Sequence, residues 1–308
     1  MSTSQPDTTK AELTQAEIID GLHQAGLKAG DVVLVHSAMR TMGRVHGGAD
    51  TVVDALLEVI GDRGTLVLPT FTFIHEVEDD PIIDPQNDRS EMGIITETAR
   101  ERPEALRSTA FRHSFAAIGR RAEVITQVDP LLPVYDFRSC FGVMLALDTQ
   151  ILMLGMTYSS CTSHHFGEWV CQVPYRHTID LNVKVRRKDG SVVPQAMTDY
   201  QPHTYTGTRH TDFNRLGCTL EERDLVGIAP VGNAVLRRFA MRDLIELAQI
   251  EAEKDFNVFR TEEGQTEAYT PLDFGAIVLS PEMPDGAGRP CRYQWAVVDP
   301  ERLTMPKV

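Results

Sequence analysis

The chain has 308 residues, 42% hydrophobic and 24% charged, which suffices for a full buried core in one large domain or two intimate ones. Its formal net charge of -14 excludes the basic face that a nucleic-acid binder presents; such a surface attracts cations, although acidity also serves solubility alone. No apolar run nears the roughly 18 residues of a membrane span, the start MSTSQPDTTKAE has no leader-like region, and Cys140, Cys161, Cys171, Cys218 and Cys291 lack CxxC spacing; a cytoplasmic protein with reduced thiols, no membrane partner and no metal is expected.

Residues 1–11 are polar and predict a frayed start. Thr14 and Glu17 have capping-box spacing, and Ile18, Leu22 and Ala25 follow at helical intervals up to Gly26. The run from Asp31 to His36 predicts a strand buried on both faces, followed by a loop from Ser37 to Gly48 with three glycines and a helix from Asp50 to Ile60. Thr65 to Leu68 predicts the next strand, parallel to the first because a connection of this length is not a hairpin. The class is therefore α/β, with a central, mostly parallel sheet flanked by helices. Beyond it, 74–90 reads as an acidic surface loop, 91–101 as a helix, 115–118 as a short apolar segment, 122–128 as a helical turn and 151–154 as a third buried strand. A β-rich hairpin region follows, with Lys188 to Ser191 between the runs 181–187 and 192–197, then a helix over 241–252. The end, 253–308, holds strand-like pieces at 275–279 and 293–298 and is read as an extension packed on a domain spanning 12–252.

Two segments carry chemistry. A buried strand, a glycine-bearing loop and a helix N-terminus present free backbone N–H groups to an anion, and Arg40, Arg44 and His46 add donors between Ser37 and Thr51. The spacing is neither GxGxxG nor GxxxxGK[ST]; a plain tight loop with Asp50 or Thr51 capping the helix fits the same residues. The second segment is Cys161 to Glu168. Thr162 or Ser163 is a natural N-cap there, which puts His165 and Glu168 three apart on one helical face, the outline of a general base and its orienting carboxylate. An ordinary surface pair has the same spacing. A metal site with His164, His165 and Cys161 or Cys171 is disfavoured because adjacent helical histidines point apart, and no GxSxG surrounds Ser163.

The stretch DVVLVHSAMRTMGRVHGGADTVVDALLEVIGDRGTLVLPTFTF at 31–73, with RSTAFRHSFAAIG at 107–119, ILMLGMTYSSCTSHHFGE at 151–168 and VGNAVLRRFAMRDLIELA at 231–248, resembles the aminoglycoside 3-N-acetyltransferase family over about 14–250. The resemblance implies acetyl-CoA as co-substrate. It carries coenzyme A contacts onto His36, Ser37, Met42, Gly43, Arg44, Val45, His46 and Gly47, with Ala49, Asp50 and Thr51 flanking, and onto Ser108 and Ser114. It makes His165 the catalytic histidine and Glu168 its partner, with His164 at a position usually apolar. The chain departs from the family pattern at Ser108 to Ser114, where a His-Pro pair is lost, and at Asp136 to Cys140.

The family implies a small amine acceptor, polycationic like an aminoglycoside, with a homodimer as the candidate assembly. Asp136, Asp199 and Asp212 are the carboxylates considered for positioning its cationic groups. The expected mechanism is direct transfer, in which His165 deprotonates the amine and backbone N–H groups near Ser37 or Gly43 face the developing oxyanion. A coenzyme A-dependent N-acyltransferase acting on a different amine metabolite, an acyl-Cys161 route, a thioester hydrolase and a non-catalytic coenzyme A binder are the alternatives.

Overall fold

The computed structural model describes residues 12–78, 80–202 and 211–262; the start 1–11, the pieces at 275–279 and 293–298, and Cys291 lie outside them. Helix α1, Gln15–Gln24, begins with the expected capping box: Thr14 Oγ1 accepts from Glu17 N, and the Glu17 carboxylate accepts from Thr14 N at 2.8 Å. Strand β1, Val32–Ser37, leads into one helical turn, α2, Met39–Met42, then α3, Gly48–Ile60, and β2, Thr65–Pro69. After these come β3, Ile82–Ile83; α4, Ile94–Arg100; β4, Leu106–Arg107; β5, Phe115–Gly119; α5, Ala122–Thr126; and α6, Cys140–Ala146. The second half contains β6, Gln150–Leu154; α7, Ser163–Val170; β7, Arg176–Arg186; β8, Val192–Pro202; α8, Asn214–Glu222; β9, Gly227–Val231; β10, Ala234–Ala240; and α9, Met241–Lys254.

Seven strands form the main sheet in the order β4-β5-β2-β1-β6-β10-β9. The α/β class is as expected, with the parallel part confined to β2, β1 and β6; the flanking pairs are antiparallel. Along β1 the side chains alternate between two cores. Val33 and Val35 pack with Ile18, Leu22, Val53 and Leu56 of α1 and α3, while Val32 and Leu34 pack with Phe141, Phe166 and Leu244 of α6, α7 and α9. Apolar residues at both parities are what a strand covered on both faces requires, and each fully buried Val or Leu contributes about 1.5–3 kcal/mol of transfer free energy.

The segment 74–90 is more than a surface loop. It holds a 3-10 turn, Ile74–Val77, and β3, which pairs parallel with β7 and buries Ile83 against Phe111, Val183 and Met197. A two-residue strand is too short to show a period, and its partner lies far along the chain. The hairpin of β7 and β8 is longer than the sequence predicts, closing through Arg187 N to Ser191 O at 2.8 Å. No helix among the described residues is long and apolar enough to cross a membrane.

Candidate active site

Because β1 and β6 are parallel neighbours, with His36 opposite Met153 and Ser37 opposite Leu154, the loops that follow them leave the same sheet edge. Ala38 N donates to Leu154 O at 3.0 Å, and a Cβ on Gly155 would lie 1.9 Å from Thr41 Oγ1, so the two loops touch. Strand β5 starts at this edge, opposite the end of β2, which brings Arg112, His113 and Ser114 there too. The crevice at the carboxyl ends of parallel strands is the usual ligand position of such sheets.

The anticipated side-chain cap of α7 is absent: Thr162 is itself in helical conformation (φ -64, ψ -21), and a 3-10 turn at Tyr158–Ser160 feeds the chain directly into the helix. The His165–Glu168 spacing survives. His165 Nδ1 lies 2.6 Å from Glu168 Oε2, with the His165 side chain 12% exposed and Glu168 fully buried, so this is no surface pair. Tyr175 Oη donates to Glu168 Oε1 at 3.2 Å, and Arg176 Nε lies 2.8 Å from Glu168 Oε2. Burial alone would raise the Glu168 carboxyl, yet Arg176 and His165 outweigh it and hold its pKa below the ordinary carboxylate value. Burial, followed by the charge of Arg176, lowers the His165 pKa against the pull of Glu168, leaving a neutral imidazole. With Glu168 anionic, the proton of His165 sits on Nδ1 and Nε2 is the basic atom.

Its neighbour is held by different partners. His164 donates from Nδ1 to Cys161 O at 2.9 Å and stacks on Phe213 with centroids 4.4 Å apart, and burial pushes its pKa down to about 3. Phe213 meets His165 edge-on at 4.9 Å. Residues the sequence did not flag complete the surroundings: Arg176, Tyr175, Tyr200, Arg112, His113 and Phe213. None stands at a helical or strand interval from His165, and only Arg112 and His113 fell within a segment already singled out.

The residues drawn from the first loop divide. His36 is buried, its pKa pushed down to about 4 by that burial; Ser37 is half-buried. Met42, Val45 and Ala49 are buried in the core beneath the loop, so they offer backbone atoms rather than side chains to a ligand. Gly43 and Gly47 have positive φ, and a Cβ on Gly47 would meet Thr51 Oγ1 at 2.3 Å. Gly47 also caps α3 without a side-chain hydrogen bond, while Gly48 N, the first N–H of the helix, donates to Val45 O at 3.1 Å. Arg44 and His46 are exposed and both pair with Glu12, while Asp50 pairs with Arg102. Ser108 Oγ accepts from Phe115 N, and Ser114 Oγ donates to Thr70 O, so both are tied into the base of β5.

Of the three acceptor carboxylates, Asp199 is buried beside Arg112 (3.3 Å) and His113 (3.8 Å), near the His165 pair. Asp212 is half-buried next to Phe213 and accepts from Asn214 N. Asp136 is buried and committed to its own turn, accepting from Arg138 N at 2.8 Å and Arg138 Nε at 2.9 Å.

A family model described as aminoglycoside 3-N-acetyltransferase matches residues 34–251. Aminoglycoside N(3)-acetyltransferase IV of a Salmonella species is 31% identical over 252 residues, 80% of this chain and 90% of that protein. A solved structure of aminoglycoside acetyltransferase AAC(3)-IVa, a histidine-to-alanine mutant in complex with gentamicin, has a TM-score of 0.68 at 29% identity, covering 82% of this chain and 93% of its own. AAC-IIIb with CoASH, 22% identical, shares the fold with a TM-score of 0.71 over 79% of this chain and 97% of its own. With the family model spanning both loops and the sheet between them, the chain belongs to the aminoglycoside 3-N-acetyltransferase family, a class of acyltransferases.

Proposed function

We propose that this chain transfers the acetyl group of acetyl-coenzyme A to the 3-amino group of an aminoglycoside, directly and within a ternary complex, with His165 as general base. The observation that carries it is the buried Glu168 carboxylate 2.6 Å from His165 Nδ1, at the same sheet edge as the loop after β1. An alkyl ammonium near neutral pH is not a nucleophile. The free base attacks the thioester carbonyl, and His165 Nε2 takes the proton that the nitrogen sheds as the C–N bond forms. Collapse breaks the C–S bond, and the imidazolium returns that proton to the departing thiolate, giving the N-acetyl amine and coenzyme A.

Glu168 steadies the transient imidazolium. The first turn of α3 beyond Gly48 and the backbone at Gly43 receive the phosphates and pantetheine of acetyl-CoA. Asp212, half-buried, is left to face the ammonium groups of the acceptor; Asp136 and Asp199 are given no such part because Arg138 engages the first and Arg112 and Gln201 the second. An acyl-Cys161 route is disfavoured: burial pushes that thiol up to about 12, which keeps it from the thiolate form that attacks. Acetyl-CoA is a cytoplasmic metabolite, and we place the chain there.

The test is free-thiol release from acetyl-CoA against a panel of aminoglycosides and simple amines, with a no-acceptor control. Acceptor-dependent release with gentamicin or a relative is the expected result. Release without any acceptor means a thioester hydrolase, and acetylation of neutral or anionic amines only would overturn the acceptor.

A further inference from the structure

Arg176 stands at the start of β7, on a different element from His165 and Glu168, and is 93% buried in terms of its exposure of 7%. Its Nε lies 2.8 Å from Glu168 Oε2, the same oxygen that lies 2.6 Å from His165 Nδ1. Its Nη1 donates to Tyr200 O at 3.2 Å, and its guanidinium carbon sits 5.7 Å from the centroid of the Tyr200 ring, so the side chain is fixed from the far side by β8. We propose that Arg176 is a positioning residue of the acetyl transfer, acting through Glu168 to hold His165 with its proton on Nδ1 and its lone pair on Nε2. The proposal rests on His165 being the base.

Stripped of water and without a cation, Glu168 would take up a proton. A neutral carboxyl would then donate to Nδ1, the imidazole proton would move to Nε2, and no lone pair would face the amine. Arg176 prevents this by keeping the carboxylate anionic. It also places a positive charge near the imidazole, which opposes premature protonation of the base. Other groups act on His165 as well: Glu168 from α7, His164 beside it, and Arg112 and His113 from the segment before β5. Asp199 on β8 faces His113, and Tyr135, Tyr175 and Tyr200 remain neutral phenols whose pKa burial raises. Among these, Arg176 is the cation in direct contact with the carboxylate that holds the ring.

A purely structural ion pair would staple α7 to β7 without setting the protonation of His165, and the experiment separates the two roles. In the full chain, Arg176→Gln, Arg176→Lys, Glu168→Gln, His165→Gln and the double variant Glu168→Gln/Arg176→Gln are compared. His165 is titrated by NMR of labelled histidine, and turnover of acetyl-CoA with gentamicin is followed against pH. Arg176→Gln should raise the pH at which the coupled His165–Glu168 pair takes up its extra proton, read at the His165 resonances, and with it the acid limb of kcat, by about one pH unit. It should lower turnover at least ten-fold with KM for acetyl-CoA within two-fold, and Arg176→Lys should restore most of both. In the Glu168→Gln background the same Gln substitution should cost less than two-fold, because its partner is already gone.

A folded Arg176→Gln with an unmoved His165 midpoint, or losses that multiply in the double variant, overturns the proposal. Should Arg176→Gln alone fail to fold, the double variant, which leaves no uncompensated buried charge, carries the comparison against Glu168→Gln. An active His165→Gln would sink the base assignment itself. An inactive His165→Gln beside an unmoved midpoint removes only the part given to Arg176.

Discussion

His164 and His165 are adjacent in sequence and chemically unalike. The first is locked by Cys161 O and the Phe213 face, and the second is held by a carboxylate. Loss of a positioned base costs about a hundred- to ten-thousand-fold, so His165→Ala should lower kcat on that scale while calorimetry finds acetyl-CoA affinity nearly unchanged. Glu168→Gln should be milder, since the imidazole stays but is less basic. His164→Leu should keep turnover, because the ring serves packing, and should also change the response to acid. A histidine whose folded pKa lies near 3, below its usual 6.5, contributes stability that is present above 6.5 and is lost as the pH falls toward 3. At pH 4.5, about two pH units below the unfolded value, that loss is roughly 3 kcal/mol. Denaturant midpoints at pH 7 and pH 4.5 should therefore differ less in His164→Leu than in the parent chain; an equal or larger difference would show that His164 is not the group responsible.

At the scale of elements, the capping box of α1 and the glycines ahead of α3 do different jobs. Thr14→Ala removes the oxygen that accepts from Glu17 N and should cost about 1 kcal/mol in urea unfolding without touching catalysis. Gly47 has φ +75 and no room for a Cβ over Thr51, so Gly47→Val must distort the turn that starts α3. Acetyl-CoA affinity should fall at least ten-fold in calorimetry while α1 and the sheet stay folded by circular dichroism. Unchanged affinity would move the coenzyme away from this loop. The box was legible because both members lie within one turn. The cap expected at Thr162 failed because the preceding 3-10 turn, packed through Tyr158 against Phe239 and the sheet, sets the entry angle of α7 instead.

For the whole molecule, a net charge of -14 repels the anionic acetyl-CoA and attracts a polycationic acceptor. Raising ionic strength from about 0.05 to 0.5 M shortens the Debye length from roughly 14 to 4 Å. The kcat/KM for the aminoglycoside should then drop several-fold, while KM for acetyl-CoA stays level or improves. A rise in kcat/KM for the acceptor would mean that the cationic groups are recognised by something other than the acidic field.

Continuous apolar runs and the length of the β1–β2 connection were enough to determine the α/β class, because burial on both faces and parallel pairing are local consequences of composition and spacing. The His165–Glu168 interval was legible for the same reason, since helical geometry brings residues three apart together. The tertiary structure alone decided that β6 lies beside β1, which joins the two loops at one edge, and that the parallel part stops at three strands. It decided that Glu12 engages Arg44 and His46, that Arg138 engages Asp136, and that Arg176 and Tyr175 converge on Glu168. A charge has the same letter in the sequence whether solvated or buried. Its pKa and its partner depend on distance through space and on the water excluded around it, and both are set only when separate elements pack.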